Sequence, residues 1–164
     1  MTNGVEAFIG IGSNVGDRTS FCRAAVKELE NVEGIRLAEV SSLYETSPIG
    51  GPPQRSYVNL VAKIDTTLDA RSLLERCQEI EQRLGREASD IRWGPRVVDL
   101  DILTFDAEKI SEPDLEIPHP RITQRRFVLV PLFEVAPEAA DPWGTLYSEA
   151  IEEAQGEVEL LEPF

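Results

Sequence analysis

Two aspartates, Asp99 and Asp101, lie two positions apart in the apolar run Val97–Phe105. Because side chains two positions apart on a strand point to the same face, both carboxylates would project together. Adjacent carboxylates repel each other unless a cation neutralises them, and Mg²⁺ is commonly held by one or two carboxylates together with phosphate oxygens. The pair therefore indicates a magnesium site. The alternative is an exposed edge strand with solvated acids, although aspartate is disfavoured in strands.

Arginines are concentrated around these aspartates. The segment Arg92–Arg96 reads Arg-Trp-Gly-Pro-Arg, and of the 16 basic residues of the chain seven lie between positions 86 and 126. Guanidinium groups bind phosphate oxygens bidentately, and arginines beside a metal site suit the transfer of a phosphoryl-type group from ATP. Trp93 could stack on a flat ring or belong to the core. The alternative for the arginines is a solvated surface.

The glycine-rich segment Gly10–Gly16 follows a predicted strand and precedes a predicted helix, as a dinucleotide-binding motif does. Its spacing is Gly-x-Gly-x-x-x-Gly, and the sequence contains no P-loop motif, so we interpret it as a tight turn into the helix. The only histidine, His119, lies between two prolines. One histidine and two scattered cysteines argue against a zinc site, which leaves His119 as a hydrogen-bond donor to phosphate or a surface residue.

Hydrophobic periodicity predicts six elements that would position these residues. Asp17 and Asp69 would cap two helices, and Gly34 and Gly85 would end them. The order is strand, helix, strand, strand, helix, strand, with a loop at Thr46–Ser56, over the ranges Val5–Gly12, Asp17–Gly34, Ile35–Glu45, Tyr57–Thr66, Asp69–Gly85 and Val97–Phe105. This order is typical of a ferredoxin-like α+β fold with a βαββαβ core, an antiparallel sheet and helices on one face.

The rest of the chain predicts a C-terminal extension. We expect a hairpin near Lys109–Ile117, an apolar segment at Phe127–Val135, and a weak, acidic helix toward the C-terminus. The length of 164 residues favours a single domain, residues 1–164.

Composition narrows the classes of function. A net charge of −14 argues against general binding to nucleic acid or to an anionic membrane. No apolar run approaches the ~20 residues of a membrane span, and the first six residues lack the pattern of a secretory signal. We expect Cys22 and Cys77 to be buried apolar residues rather than a disulfide or a metal pair. These features together predict a cytoplasmic protein.

Short motifs in eight places along the chain carry a resemblance to a known family. They are Ile11-Gly12-Ser13-Asn14, Tyr44-Glu45-Thr46, Tyr57-Val58-Asn59, Gly85-Arg86, Arg92-Trp93-Gly94-Pro95-Arg96, Asp99-Leu100-Asp101-Ile102, Pro118-His119-Pro120 and Arg125-Arg126-Phe127-Val128-Leu129. With these motifs the chain resembles the 6-hydroxymethyl-7,8-dihydropterin pyrophosphokinase family of folate biosynthesis, from about Ala7 to Pro137. The resemblance implies the same ferredoxin-like α+β fold.

The resemblance also implies an activity, in which ATP gives its β,γ-pyrophosphoryl group to the hydroxymethyl oxygen of the pterin and AMP is released. It implies that Asp99 and Asp101 hold two Mg²⁺ ions and, with Arg86 and Arg96, carry the catalysis. The implied nucleotide contacts are Gln78, Glu81, Arg92, Trp93, Ile102, His119 and Arg125. The implied pterin contacts are Thr46, Pro48, Ile49, Tyr57, Asn59 and Phe127, with Phe127 stacked on the ring and Asn59 bonded to its edge.

Two features depart from the family pattern. The stretch Glu87–Ile91 has no basic residue where many members carry residues that reach the phosphates, and Asp114 and Glu116 stand where relatives often carry a basic or hydroxyl residue. ATP affinity is therefore left open, as is the choice between a monomer and a homodimer. Three alternatives remain: a ligand sensor without turnover, an NAD-linked oxidoreductase using the glycine segment, and an RNA-binding module, which the net charge disfavours.

Overall fold

The computed structural model describes residues 4–47, 55–88 and 97–164, and of residues 86–88 the backbone only. The six core elements predicted occur in the predicted order, except that one predicted strand is divided into two. The strands and α-helices are β1 Val5–Ser13, α1 Arg18–Glu30, β2 Ile35–Val40, β3 Leu43–Thr46, β4 Tyr57–Thr66, α2 Ala70–Ala88, β5 Asp99–Phe105, β6 Ile110–Glu112, β7 Leu115–Ile117, α3 Arg126–Val135 and β8 Val158–Glu162. Short 3-10 helices cover Ile122–Gln124 and Tyr147–Ala150.

The main sheet is antiparallel, in the order β5-β1-β4-β3-β8, with β2 also paired to β4. The single strand predicted for Ile35–Glu45 is wrong, because the segment forms two strands that lie end to end along β4. The break is at Ser41, which is fully buried. Its backbone N–H donates to the Val61 carbonyl at 2.9 Å, and its hydroxyl accepts from the Val61 N–H at 2.9 Å. The serine side chain thus replaces a backbone acceptor at this point.

Helices α1 and α2 pack on one face of the sheet, as predicted. The alternating side chains of β1 and β4 that point to this face form the main core with the helices. The largest fully buried side chains of this core are Ile9, Ile11, Leu29, Leu43, Leu60, Ile64, Leu73 and Ile80. The opposite face carries a second, smaller cluster, in which Phe8, Val61 and Leu103 pack against Leu129 and Leu132 of α3. Because α3 is only 10 residues long, it leaves part of this second face uncovered by the described helices.

Helix α3 is tied to β3 through a single carboxylate. Glu134 accepts hydrogen bonds from the Ser42 N–H at 3.0 Å, the Ser42 hydroxyl at 3.1 Å and the Tyr44 hydroxyl at 2.5 Å. Burial, together with the Glu134 carboxylate, raises the pKa of Tyr44, so the phenol stays protonated and donates. These bonds hold the position of α3 over the sheet.

Both predicted helix caps are confirmed. Asp17 accepts from the Ser20 N–H at 3.1 Å and Asp69 from the Ser72 N–H at 2.7 Å. Gly85 does not end α2, which continues to Ala88, because one glycine costs a helix only about 1 kcal/mol and the residues after it are good helix formers. Gly34, with φ +93°, lies in the turn between α1 and β2.

The C-terminal extension differs from its prediction in one respect. The hairpin is confirmed as β6 and β7. The acidic C-terminal helix is wrong, because the segment contains one 3-10 turn and ends as β8, which pairs with β3. The exposed edge of β3 offers unpaired backbone groups, and β8 satisfies them.

Both cysteines are free and buried. Burial raises the pKa of each thiol to about 12, so both thiols stay protonated and unreactive. The two cysteines therefore behave as small apolar residues. Within the part of the chain that the structure describes, no helix is long and apolar enough to cross a membrane.

Candidate active site

The uncovered part of the second sheet face is the floor of a cleft of about 550 Å³. Strand β1 runs between β4 and β5. Where these three strands form the floor of the cleft, the β1 residues that face it are Gly10 and Gly12. Gly12 is paired with Asn59 on one side and Asp99 on the other, and Gly10 with Asp101. Because these glycines have no side chains, side chains of the neighbouring strands lie over them: the Asn59 amide over Gly12 and Leu103 over Gly10. The interpretation of residues 10–16 as a tight turn is therefore wrong for Gly10 and Gly12, which lie within a strand.

The two aspartates project from β5 into this cleft, as their spacing predicts. Asp99 is half-buried and Asp101 is exposed. Strand β5 is an edge strand, and its Leu100 N–H donates to the buried Glu81 carboxylate at 2.8 Å. On the other side, the buried Ser13 hydroxyl donates to the Val97 carbonyl at 2.6 Å. These bonds fix the backbone on which both carboxylates are carried.

The donor set at this position suits a hard cation. No group of three or more histidine, cysteine, aspartate or glutamate side chains that could hold a metal occurs in residues 4–47, 55–85 and 97–164. Asp99 and Asp101 therefore supply two carboxylates, and further ligands would come from water or a bound molecule. This arrangement fits Mg²⁺, which is often held by one or two carboxylates and substrate oxygens, and does not fit a structural zinc site.

One wall of the cleft is cationic and is formed by the chain segment that comes after β7. His119, Arg121 and Arg125 all line it. The His119 backbone N–H donates to the Leu103 carbonyl at 2.8 Å, and its Nδ1 accepts from the Arg121 N–H at 3.2 Å. Burial lowers the pKa of His119, and Arg125 and Arg121 lower it further against the opposing effect of Asp101. With Nδ1 as acceptor, the neutral imidazole carries its proton on Nε2 and can donate it to an anion.

The other wall and the adjoining floor suit a flat polar ring. Phe127, in the first turn of α3, lines the cleft, and the Arg125 guanidinium lies 5.5 Å from the centroid of its ring. Tyr57 and Asn59 share the cleft face of β4, as predicted. The Thr46 hydroxyl donates to the Asn59 side-chain carbonyl at 2.5 Å, and both side chains are buried. This bond orients the amide of Asn59, whose nitrogen lies over Gly12.

A second cleft of about 310 Å³ lies beside the first. It is lined by Ile102 and shares Asp101 and His119 with the larger cleft. Among the side chains that the structure describes, Gln78 and Glu81 line neither cleft: Gln78 is exposed on α2, and Glu81 is buried against β5. The structure therefore does not bring these two predicted nucleotide-binding residues into the clefts. Glu81 instead supports the strand that carries the aspartates.

The remaining predicted site residues lie outside the described part of the chain. They are Pro48, Ile49, Arg92, Trp93 and Arg96, together with the side chain of Arg86. The segments that flank them do border the cleft, because Thr46, Ser47, Tyr57 and Asp99 all line it.

Sequence analysis missed three residues that line the cleft and one, Arg18, that acts from outside it. Arg121 lines the cationic wall, and Glu153 and Gln155 line the rim. Arg18 donates to the Ser56 carbonyl at 3.0 Å and pairs with Glu45 at 2.9 Å, so it holds the chain on both sides of residues 48–54. Only the basic cluster around Arg121 was visible in the sequence; the other contacts join distant segments and leave no local pattern.

The chain is similar to known proteins of one family. Residues 8–137 match the family model described as 7,8-dihydro-6-hydroxymethylpterin-pyrophosphokinase (HPPK). A 2-amino-4-hydroxy-6-hydroxymethyldihydropteridine pyrophosphokinase of Bacillus subtilis is 46% identical over 129 residues, which are 79% of this chain and 77% of that protein. One of the same name from Methylorubrum extorquens is 42% identical over 133 residues, 81% of this chain and 84% of the relative.

A solved structure shares the fold. The HPPK-DHPS of Plasmodium falciparum superposes with a TM-score of 0.73 at 15% identity, over 93% of this chain and 46% of that one. This chain thus spans about half the length of that longer protein. From the match over most of its length and from the identity to its relatives, the chain belongs to the 7,8-dihydro-6-hydroxymethylpterin-pyrophosphokinase family.

Proposed function

We propose that this protein transfers a pyrophosphoryl group from ATP to the hydroxymethyl group of 6-hydroxymethyl-7,8-dihydropterin, giving AMP and the pterin pyrophosphate, in folate biosynthesis. One observation carries the proposal: a pair of carboxylates on a hydrogen-bonded strand, a cationic wall and the aromatic ring of Phe127 all line one cleft. Phosphoryl-type transfer depends on positioning and on neutralising charge, and a pterin requires an aromatic face with fixed polar groups.

The carboxylates would hold magnesium. Asp99 and Asp101 are the residues that would bind it, with two ions as the expected number, and bound Mg²⁺ would neutralise the charge of the triphosphate. His119 and Arg125, which line the same cleft as these carboxylates, would donate hydrogen bonds to phosphate oxygens. The neutral imidazole of His119 would donate through Nε2–H, and the guanidinium of Arg125 would supply positive charge.

The pterin would lie on the floor near β4. Phe127 would stack on the ring, and the Asn59 amide, oriented by Thr46, would bond to its polar edge. With the ring held there, the hydroxymethyl oxygen attacks the β-phosphorus of ATP. The bond from that phosphorus to the α-phosphate oxygen breaks, AMP leaves, and the hydroxyl proton passes to solvent. Proximity and alignment of the two substrates are what the protein contributes to this step.

Location and partners extend the proposal. The net charge of −14 supports a protein that does not bind nucleic acid or an anionic membrane. We expect a cytoplasmic monomer or homodimer whose partners are its two substrates.

The test is AMP formation from ATP and Mg²⁺, with and without 6-hydroxymethyl-7,8-dihydropterin. The unmodified protein should form AMP only when the pterin is present. Asp101→Asn should lower kcat on the order of 100-fold or more, because it removes a charge that a cation in the site requires. Asp65→Asn, a carboxylate paired with Arg36 away from the cleft, is the control and should match the unmodified protein.

Two results would contradict the proposal. Pterin binding without any AMP would favour a sensor without turnover. Full activity in Asp101→Asn would show that catalysis does not require metal binding by the aspartate pair.

A further inference from the structure

The C-terminal segment 151–162, here called the strap, crosses one end of the cleft. It lies beyond residues 8–137, which the family model matches. At its first half the strap is bonded to the chain that leads into α3. The Gln155 N–H donates to the Gln124 carbonyl at 3.0 Å, and the Arg126 N–H donates to the Gln155 carbonyl at 2.9 Å. These bonds flank Arg125, which itself pairs with Gln155 in a parallel bridge.

The side chain of Arg126 binds the same part of the strap. Its guanidinium donates to three backbone carbonyls: Nε to Ile151 at 3.0 Å, Nη2 to Glu152 at 2.7 Å and Nη1 to Gly156 at 3.4 Å. Arg126 is half-buried and turns away from the cleft that its neighbours Arg125 and Phe127 line. One side chain therefore supplies hydrogen-bond donors to three backbone carbonyls of an irregular segment, which has no regular backbone pairing to supply them.

The second half of the strap is bonded on the β3–β4 side of the cleft, here called the Thr46–Asn59 wall after two residues that line it beside the floor. The Ser47 N–H donates to the Glu157 carbonyl at 3.1 Å, and the Glu157 N–H donates to the Ser47 hydroxyl at 3.0 Å. From Val158, which pairs with Thr46, the strap continues as β8 along β3. Thr46 is the residue that orients Asn59.

The strap thus joins the two walls proposed to hold the pterin. Only residue 156 separates Gln155, which is bonded next to Arg125 and Phe127, from Glu157, which is bonded to Ser47. Because consecutive Cα atoms are about 3.8 Å apart, this short connection limits how far the walls can separate. Among the described residues, the strap has no backbone hydrogen bond to the aspartate strand β5 or to helix α2.

We propose that the strap sets the separation between the Phe127 wall and the Thr46–Asn59 wall, and that Arg126 is the positioning residue that holds it. The inference rests on the proposed function, since it assigns the strap to the affinity for the pterin. It predicts that loosening the strap weakens pterin binding more than ATP binding. Of the residues proposed to bind ATP and its metal, Arg125 lies next to the strap, whereas the metal-binding carboxylates lie on β5, which has no backbone bond to it among the described residues.

The experiment compares Arg126→Met, which removes all three hydrogen bonds and keeps an apolar stem, with Arg126→Lys, which retains one donor group. Arg36→Met is the matched control, because Arg36 is an exposed arginine on β2 paired with Asp65. For each protein, KM for the pterin, KM for ATP and kcat are measured below the unfolding temperature. Hydrogen exchange at the amides of Ser47, Arg126 and Gln155 reports whether the strap has loosened.

We expect Arg126→Met to raise the pterin KM about tenfold, because three hydrogen bonds of the strap are lost, while the ATP KM and kcat change less than about threefold. Arg126→Lys should lie between the two, and Arg36→Met should equal the unmodified protein. A role in stability alone would lower Tm and leave the ratio of the two KM values unchanged.

An unchanged pterin KM in a folded Arg126→Met protein whose strap amides exchange faster would overturn the inference. Should Arg126→Met fail to fold, the same comparison is decided by Arg126→Lys. Failure of the proposed function is seen separately, because it appears as absence of AMP formation by the unmodified protein, before any variant is made.

Discussion

Replacing Gly12 with alanine tests how the floor of the cleft is built. A Cβ atom at this position would lie 2.4 Å from the side-chain nitrogen of Asn59, a distance at which one of the two groups must move. The next neighbours, the Asn59 Cγ at 3.5 Å and the Val58 carbonyl oxygen at 3.7 Å, are at ordinary contact distance. Among the described residues, the new methyl group therefore conflicts with one group, the amide that Thr46 orients.

The size of the effect follows from what Asn59 must give up. Its side chain is 9% exposed and accepts the Thr46 hydroxyl at 2.5 Å. Displacing the amide breaks this bond and leaves buried polar groups unsatisfied, which costs about 1–3 kcal/mol. Since 1.4 kcal/mol corresponds to a factor of ten, the pterin affinity should fall between about fivefold and a hundredfold. The free energy of unfolding should fall by a similar ~1–3 kcal/mol.

A double-mutant cycle isolates the contact. Unfolding in urea is measured for Gly12→Ala, Asn59→Ala and the double variant, and pterin binding is titrated for Gly12→Ala. In the Asn59→Ala background the methyl group meets no side chain, so Gly12→Ala should cost less than about 0.5 kcal/mol there. Equal destabilisation in both backgrounds would refute the reasoning, since the methyl group would then act on something other than the amide.

Two further predictions concern helix α2. Gly85→Ala should raise the free energy of unfolding by about 0.5–1 kcal/mol, because alanine is the better helix former and, among the described atoms outside the adjoining helix backbone, none lies within 4 Å of the new methyl group. A lower urea midpoint would contradict this. Asp69→Ala should lower Tm at pH 7. The hydrogen bond from the Ser72 N–H lowers the pKa of Asp69 below 3.8, so its stabilisation exists above the unfolded pKa and disappears as pH falls through the folded one. The Tm difference from the unmodified protein should therefore narrow below pH 3.8, and a constant difference would contradict the capping role.

The local parts of this protein follow from its sequence. Alternation of apolar residues predicts β1, β4 and β5, because side chains two apart on a strand share a face. Asp17 and Asp69 are recognisable as caps, because a cap bonds to a backbone group only three residues away. The spacing of Asp99 and Asp101 places both carboxylates on one face for the same reason. The motif of which they are part also leads to the family.

Other features depend on register and on contacts between distant segments. The break after β2 follows from a bond between Ser41 and Val61, and β8 forms because β3 has a free edge. No periodicity in the acidic C-terminal segment reveals that edge, so a helix was the reasonable prediction from the segment alone.

The site combines both kinds of information. The residue types and their spacing along the chain determine that a carboxylate pair, arginines and an aromatic ring are available. Only the tertiary structure decides that Gly12 lies under the Asn59 amide, that Glu81 supports the aspartate strand, and that Arg126 holds the strap. The physical reason is that each of these contacts depends on how strands are paired or on how segments far apart in the chain are packed, and neither leaves a pattern in the local sequence.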